Sequence, residues 1–309
     1  MKKANAMAAL LCGAALIVPA AAWAQDSASN DGSESNEIIV TATREARSLQ
    51  SVPMSVNVAT GEQLQKFNIF DAKDVQQLAP GLELSNTTGR NNTTTLRGVT
   101  FDPDQGTSPA VQVYYNEIPT DAQTVYTALY DIQQIEVLRG PQGLLRGLSA
   151  PAGSITIATR RPNFDAIEGY AQATATSRDG YNVQAGVSLP FNDTLAIRVS
   201  GLVDGNRLNN VRNITTGERS RSRTESARVT LGWRPSSDFT AYLTYQYLFA
   251  DNLQNQQVIG TGAVADGFNR SGPALDAADY AAVSDGRFRN QNESHIVNLA
   301  FDYDLGAAT

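Results

Sequence analysis

Residues 181–190 read YNVQAGVSLP, and the fold turns on how that stretch alternates. Tyr181, Val183, Ala185, Val187 and Leu189 share one face of an extended chain, while Asn182, Gln184 and Ser188 share the other, because successive strand side chains point to opposite sides. The same period of two recurs downstream. Leu195, Ile197 and Val199 alternate with Arg198 and Ser200; Ala227, Val229, Leu231 and Trp233 alternate with Ser226, Arg228 and Thr230. Phe239, Ala241, Leu243, Tyr245, Tyr247 and Phe249 continue the rule, as do Val297, Leu299, Phe301 and Tyr303 against Asn298, Asp302 and Asp304. Runs of about ten residues with one apolar and one polar face are what a transmembrane β-barrel requires. Tyr181, Trp233, Phe239 and Tyr303, near strand ends, are placed for aromatic girdles.

A soluble β-sandwich alternates too, but the connections disfavour it. Asp179-Gly180 and residues 191–193 read as tight turns, whereas 205–222 and 252–292 are long and polar. Short turns at one end and long loops at the other belong to outer-membrane barrels.

Upstream the pattern changes. Between about 50 and 160, a strand at 55–58 meets the capping-box sequence Thr60-Gly61-Glu62-Gln63, which predicts a short helix to about Phe67. Asp71 reads as a second N-cap with Asp74 in the first turn, and Pro80-Gly81 ends that helix. Short strands are expected near 82–84, 94–97, 111–115, 132–138 and 154–159, giving a small α+β domain rich in tight loops. Residues 25–36 (QDSASNDGSESN) are polar and free of aromatics, so they read as a tether. At its end EIIVTATR (37–44) holds the β-branched run Ile38, Ile39 and Val40. Such a segment suits strand addition to a partner's sheet edge; it suits equally well the first strand of the domain that follows.

The amino terminus reads as a removable leader. Lys2 and Lys3 precede an apolar run over 8–19, and Ala22-Trp23-Ala24 places the cut after Ala24. The leader holds the only cysteine, Cys12, so the exported part has no thiol for a disulfide, a thiolate zinc site or a cysteine nucleophile. It also holds two cations and no acid, so the remainder is more acidic than the whole chain's net charge of −7. That balance argues against duplex nucleic acid as a partner. No stretch after the leader is long and apolar enough for a membrane helix.

Five motifs occur in one order: EIIVTATR (37–44), DVQQLAPGLELS (74–85), LRGV (96–99), IEVLRGPQGLLRG (135–147) and AGSITIATRRP (152–162). Together they resemble the TonB box and plug domain of TonB-dependent outer-membrane receptors, with a siderophore-receptor flavour. The order and spacing are specific; any one motif alone is weak. Leu144, Leu145 and Arg146 stand where Thr, Leu and an aromatic are usual, and 148–151 replaces a usual Arg-Asn stretch, which bears on the substrate subgroup.

The resemblance implies an α+β plug domain followed by antiparallel transmembrane β-barrel strands: signal peptide 1–24, tether with box 25–49, plug 50–162 and the first part of a barrel over 163–309. The box, Glu37, Ile38, Ile39, Val40, Thr41, Ala42 and Thr43, would bind the TonB protein of the inner-membrane energy-transducing complex. The plug motif residues are Arg97, Gly98, Glu136, Arg139, Gly140, Pro141 and Gly143. Among them Glu136 and Arg139, with Arg146, project from a backbone of tight turns around Gly140, Pro141, Gly143 and Gly147. Such charges would pair within the plug and against the barrel wall, since a desolvated charge is tolerated only when paired; a self-contained ion pair is the plainer alternative. Asn86, Arg90, Asn91, Asn92, Phe101 and Asp102, on polar loops, are candidate substrate contacts.

The implied activity is proton-motive-force-driven import of a scarce nutrient, a ferric siderophore above carbohydrate or cobalamin, across the bacterial outer membrane, with membrane lipid around it and neither cofactor nor resident metal. The alternative from another class is a periplasmic or secreted ligand-binding module. Six strands are expected after residue 162, at about 24 residues each; plugged transporters have roughly 22 strands, about 540 residues. Six strands leave two open edges, and the chain stops without a terminal aromatic, so an N-terminal fragment or truncated frame is expected.

Three other features resolve to bland readings. Gly260-Thr261-Gly262 with Ala265 lacks the strand and helix of a dinucleotide fingerprint. Asp102 and Asp104 mimic a calcium loop, but Gly106 falls one position early and no closing Glu follows. His295, the lone histidine, has no companion for ligation or base chemistry. With no paired carboxylates and no nucleophile beside a base, an enzyme is not expected.

Overall fold

The computed structural model describes residues 39–40, 47–51, 55–67, 69, 72–86, 92–100, 108–120, 129–141, 150–177, 179–261, 274–283 and 289–306. Strand β1 (Val56–Thr60) runs straight into helix α1 (Gly61–Lys66). The capping box forms as expected: Gln63 N donates to Thr60 Oγ1 at 3.4 Å, and Thr60 N donates to Gln63 Oε1 at 3.0 Å. Gly61 is needed at the first helical position for a packing reason. A Cβ there would lie 2.3 Å from the Ile132 carbonyl, so the helix start seats directly on the strand that Ile132 begins.

A one-turn helix α2 (Ala72–Val75) continues as a 3-10 turn, Gln76–Leu78, and Gly81 in the left-handed region delivers the chain into β2 (Leu82–Asn86), which pairs with β3 (Asn92–Leu96). After β4 (Val111–Tyr115) a two-residue turn, Asn116 and Glu117, both at positive φ, returns as β5 (Ile118–Thr120), a strand absent from the sequence expectation. Strands β6 (Ile132–Arg139) and β7 (Gly153–Thr159) complete a five-stranded sheet of order β1-β6-β7-β4-β5, antiparallel except where β4 meets β7. Its apolar core gathers Leu64, Ile69, Val75, Leu96, Val113, Ile135, Val137, Ile155 and Ile157.

Six long strands follow: β8 (Glu168–Thr176), β9 (Gly180–Asn192), β10 (Leu195–Asn206), β11 (Arg221–Trp233), β12 (Phe239–Leu253) and β13 (Arg289–Tyr303). Each pairs antiparallel with the next in an up-and-down sheet. Their connections correct one expectation. The tight turn near Asp179 opens on the same end as the long segments between β10 and β11 and between β12 and β13, not opposite them. The other end is short throughout, with residues 193–194 and 234–238 between strands. The asymmetry stands, but its members are distributed differently, because a long strand pair can still close tightly where Thr176 Oγ1 accepts the Gly180 N–H at 3.1 Å.

The long segments are themselves ordered where described. Arg212–Asn213 lies parallel to Ala281–Ala282, and Val258 N donates to the Ala281 carbonyl at 2.9 Å. The Gly260–Thr261 stretch forms a two-residue ladder with Ala274–Leu275, and Gly262 and Ala265 lie outside the described residues. At the short-turn end Trp233, Phe239, Phe301 and Tyr303 group with ring centroids 6.0 to 6.5 Å apart. Tyr181 stands at the opposite end.

Burial decides between sandwich and barrel. Along β9 to β13 the polar face is the buried one: Asn182, Gln184, Ser188, Arg198, Ser200, Thr224, Ser226, Arg228, Thr230, Thr244 and Gln246. The apolar face is open, with Val183, Val199, Val229, Leu231, Leu243, Val297, Leu299 and Phe301 between 37% and 66% exposed. A sandwich buries its apolar face. This wall is inverted, as a sheet facing hydrocarbon must be.

Candidate functional site: the junction of sheet and wall

The buried polar face of the wall does not meet itself; it meets the five-stranded domain. Asp131 sits in the turn just before β6, at φ 54, and projects its carboxylate into the wall. Arg198 of β10 grips it with both arms, Nη2 to Oδ1 at 2.6 Å and Nε to Oδ2 at 2.9 Å, with both side chains essentially solvent-free. The remaining Arg198 nitrogen, Nη1, donates to Ser188 Oγ at 3.1 Å and reaches Glu168 at 3.4 Å. Arg228 stands on the neighbouring strand, one diagonal step away in register, since Arg198 faces Thr230 and Arg228 faces Ser200. It donates from Nη2 to the Tyr130 carbonyl at 3.2 Å and from Nε to Gln246 Oε1 at 3.1 Å.

Two phenols frame Arg228. Its guanidinium lies 4.5 Å from the Tyr130 ring centroid and 5.8 Å from that of Tyr115, a cation–π arrangement strengthened by desolvation. Tyr115 Oη donates to Gln246 Oε1 at 2.8 Å, and Tyr130 Oη shares a hydrogen bond with Ser226 Oγ at 3.0 Å. Burial pushes both phenols well above the usual tyrosine range, against the opposing pull of the Arg228 charge, so they act as neutral hydrogen-bonding groups. Asn298 of β13 adds a further tie, donating to the Asn116 carbonyl at 3.1 Å. A small cavity of about 20 Å3 lies beside the cluster, lined by Leu64, Gln65, Tyr130, Asp131 and Gln184 among others.

The chain crosses from sheet to wall over residues 160–167, and that crossing is pinned at the short-turn end. Phe164 is buried under Arg234, whose guanidinium lies 4.5 Å from its ring. Arg161 stacks over Tyr242 at 4.5 Å and pairs with Asp302 of β13 at 2.5 Å.

The sequence-derived candidates fall elsewhere. Glu136 is buried within β6, accepting from Gln134 Nε2 at 2.6 Å. Arg139 ends that strand, its backbone N–H on Ser55 O at 3.2 Å, and Gly140 turns at φ 94 ahead of an exposed Pro141. Asp131 pairs with Arg198 and Arg228 across sheet and wall; Gly143 and Arg146 lie outside the described residues. Arg97 and Gly98 form an exposed left-handed turn that closes on Gly81. Asn86 and Asn92 face each other at the tip of the β2–β3 ladder, while Arg90, Asn91, Phe101 and Asp102 lie outside the described residues, as do Asp104 and Gly106. Of the box, Ile39–Val40 forms a two-residue ladder with Arg47–Ser48, and Val40 is fully buried; Glu37, Ile38, Thr41, Ala42 and Thr43 lie outside. His295 hydrogen-bonds Tyr245 Oη at 2.8 Å on the outer face.

Sequence reasoning placed Arg198 and Arg228 on polar faces without singling them out. The available signal was two arginines at inward positions of adjacent strands, each followed by an outward valine, Val199 and Val229. Asp131 carried no signal, because a turn aspartate is common.

Comparison with known proteins bears on the five-stranded domain and on the fold. The TonB-dependent receptor plug domain family matches residues 48–154. The pesticin receptor of Yersinia pestis is 33% identical over 182 residues, 58% of this chain and 26% of the relative. The ferripyoverdine receptor of Pseudomonas aeruginosa is 28% identical over 178 residues, 55% of this chain and 20% of the relative. Among solved structures, the ferric yersiniabactin uptake receptor FyuA of Yersinia pestis superposes with a TM-score of 0.59 at 28% identity, covering 65% of this chain and 32% of that one. FpvA of Pseudomonas aeruginosa bound to heterologous pyoverdines gives 0.64 at 18% identity over 86% and 34%, a likeness of fold. The match thus spans about a quarter of the pesticin receptor and a fifth of the ferripyoverdine receptor.

Proposed function

We propose, for a chain whose residues 48–154 are a TonB-dependent receptor plug domain, that the protein imports a ferric siderophore across the bacterial outer membrane. The observation that carries the reading is the inverted wall: polar residues of β9 to β13 close around the plug, and apolar ones face outward. A soluble ligand-binding module would leave that apolar face in water, which monomeric proteins avoid over large areas. The names of two relatives, the ferripyoverdine receptor and the ferric yersiniabactin uptake receptor, support an iron chelate over carbohydrate or cobalamin.

In this reading the leader is removed after Ala24, residues 25–49 form the tether and box, residues 50–162 the plug, and the barrel begins at 163. Substrate enters from the long-loop end. The TonB protein pairs with the box, Glu37 to Thr43, whose Ile39–Val40 first gives up its ladder with Arg47–Ser48; a contact that short is marginal by itself. Force derived from the proton gradient then shifts plug from wall.

The test is uptake of radioactive ferric siderophores by iron-starved cells whose only such receptor is the full-length protein. Accumulation abolished by a protonophore, with the protein in the outer-membrane fraction, is the expected result. A soluble periplasmic product, or accumulation indifferent to the protonophore, overturns the reading.

A further inference from the structure

At the plug–wall junction two guanidinium groups meet one fully buried carboxylate. Arg198 and Arg228 are both 2% exposed and Asp131 1%, whereas Glu168, the only other acid paired with either arginine among the described residues, is half exposed. Among the solvent-free groups the cations therefore outnumber the acid two to one. Arg228 Nη1 is buried without a hydrogen-bond acceptor and comes no nearer than 3.8 Å to Asp131 Oδ2. Buried donors of this kind are nearly always satisfied in folded proteins, so an orphan guanidinium nitrogen beside a carboxylate marks a place where an anion fits better than Asp131 does.

We infer that Arg198 and Arg228 form an anion site on the barrel wall that Asp131 fills while the plug is seated and that a carboxylate of the cargo fills when the plug moves. The inference rests on the import reading and names a substrate class within it: ferric chelates that carry a free carboxylate. Three features support it. The arginines are rooted in long strands of the wall, whereas Asp131 belongs to a plug turn in the left-handed region, an uncommon backbone state for a residue with a side chain. A shift of that turn removes the acid and leaves both cations in place. The fork of Arg198 already holds a carboxylate with two parallel bonds, the geometry that guanidinium groups favour. Arg198 lies three residues from the short-turn end of β10, and Arg228 in the same half of β11, so the site lies toward the exit for a cargo entering among the long loops.

The consequence is a coupling between cargo and plug. Leaving two cations buried without a counter-ion is strongly unfavourable, so a cargo that supplies the anion eases the step that withdraws Asp131. By linkage the seated acid and the cargo carboxylate exclude one another.

Chemical rescue tests the site without transport. Asp131→Ala in the full-length receptor, refolded into detergent micelles, should unfold at lower temperature than the parent. Sodium formate should restore about 5 °C, while sodium chloride at equal ionic strength should not, and the parent should respond to neither. In Asp131→Ala with Arg228→Gln the formate effect should vanish. Equal responses to formate and chloride, or a formate effect that survives the loss of Arg228, overturns the site.

Should Asp131→Ala not assemble in either salt, Arg228→Gln alone decides, since it keeps the Asp131–Arg198 pair. Its uptake of a ferric chelate bearing a free carboxylate should fall about tenfold relative to a neutral ferric trihydroxamate. An unchanged ratio overturns the inference. A parent that takes up neither chelate instead fails the import reading, and with it the cargo carboxylate inferred here.

Discussion

Phe164 lies so close over Gly232 that a Cβ on the glycine would stand 2.8 Å from its ring, with Pro162 at 3.4 Å. The crossing from plug to wall is therefore seated in a notch that only glycine leaves open. Gly232→Ala should force the ring out and cost about 1–3 kcal/mol, read as a lower unfolding temperature of the refolded protein. Adding Phe164→Leu should recover part of the loss. A Gly232→Ala protein as stable as the parent shows that the notch is not tight.

Buried and exposed ion pairs of the same chemistry should separate cleanly. Arg198→Gln removes both hydrogen bonds to a solvent-free Asp131 and should cost about 3–5 kcal/mol. Arg161→Gln breaks a pair whose partners are 47% and 59% exposed and should cost at most about 1 kcal/mol. Denaturant unfolding of both variants in micelles measures the difference; equal losses would contradict the burial of the first pair.

Leu243 is 47% exposed on the outer face of β12. On a soluble sheet Leu243→Lys would be harmless. On a lipid-facing strand it should cost about 2–4 kcal/mol near the bilayer midplane and reduce assembled receptor in outer-membrane preparations. Undiminished assembly counts against lipid contact at this position.

The two phenols give a pH prediction with a definite sign. Burial raises the Tyr115 and Tyr130 pKa values above the unfolded value of about 10. A group whose folded pKa is raised contributes stability that is complete below its unfolded pKa and is lost as pH climbs through the folded one. The contribution of this pair should therefore persist to about pH 10 and decline above it. Tyr115→Phe and Tyr130→Phe should flatten the alkaline limb of stability against pH. Phenolate absorbance of the parent near pH 10 that disappears with these substitutions would show that the rings are not shielded.

Val40 is fully buried, and its pairing partner is Arg47. Proline there removes a ladder donor, so, on the proposed import reading, Val40→Pro should abolish energy-dependent uptake at normal expression while leaving substrate binding to whole cells intact. Full uptake by Val40→Pro would remove the box assignment.

Much of the architecture was legible because its causes are local and periodic. The alternation of 181–190 and its repeats located the wall strands, the Thr60–Gln63 pair located α1, and glycine and proline located the plug's turns; each needs only a few neighbouring residues to be read. The loop asymmetry was legible as a fact but misassigned at Asp179, since which end a turn occupies depends on counting every strand before it. The short β5 went unread because its turn, Asn116-Glu117, uses positive φ without glycine.

The sequence by itself therefore determined the strand pattern, the plug and their order, since spacing along one chain specifies which faces are apolar. Only the tertiary structure decided that the polar face is the buried one and that Asp131 meets Arg198 and Arg228. Those groups lie 67 and 97 positions apart in the chain, and nothing in the residues beside an aspartate says which distant cations the fold will carry to it. Pairing across a plug–wall junction is settled by desolvation: once both surfaces leave water, each buried charge must find its partner across the gap.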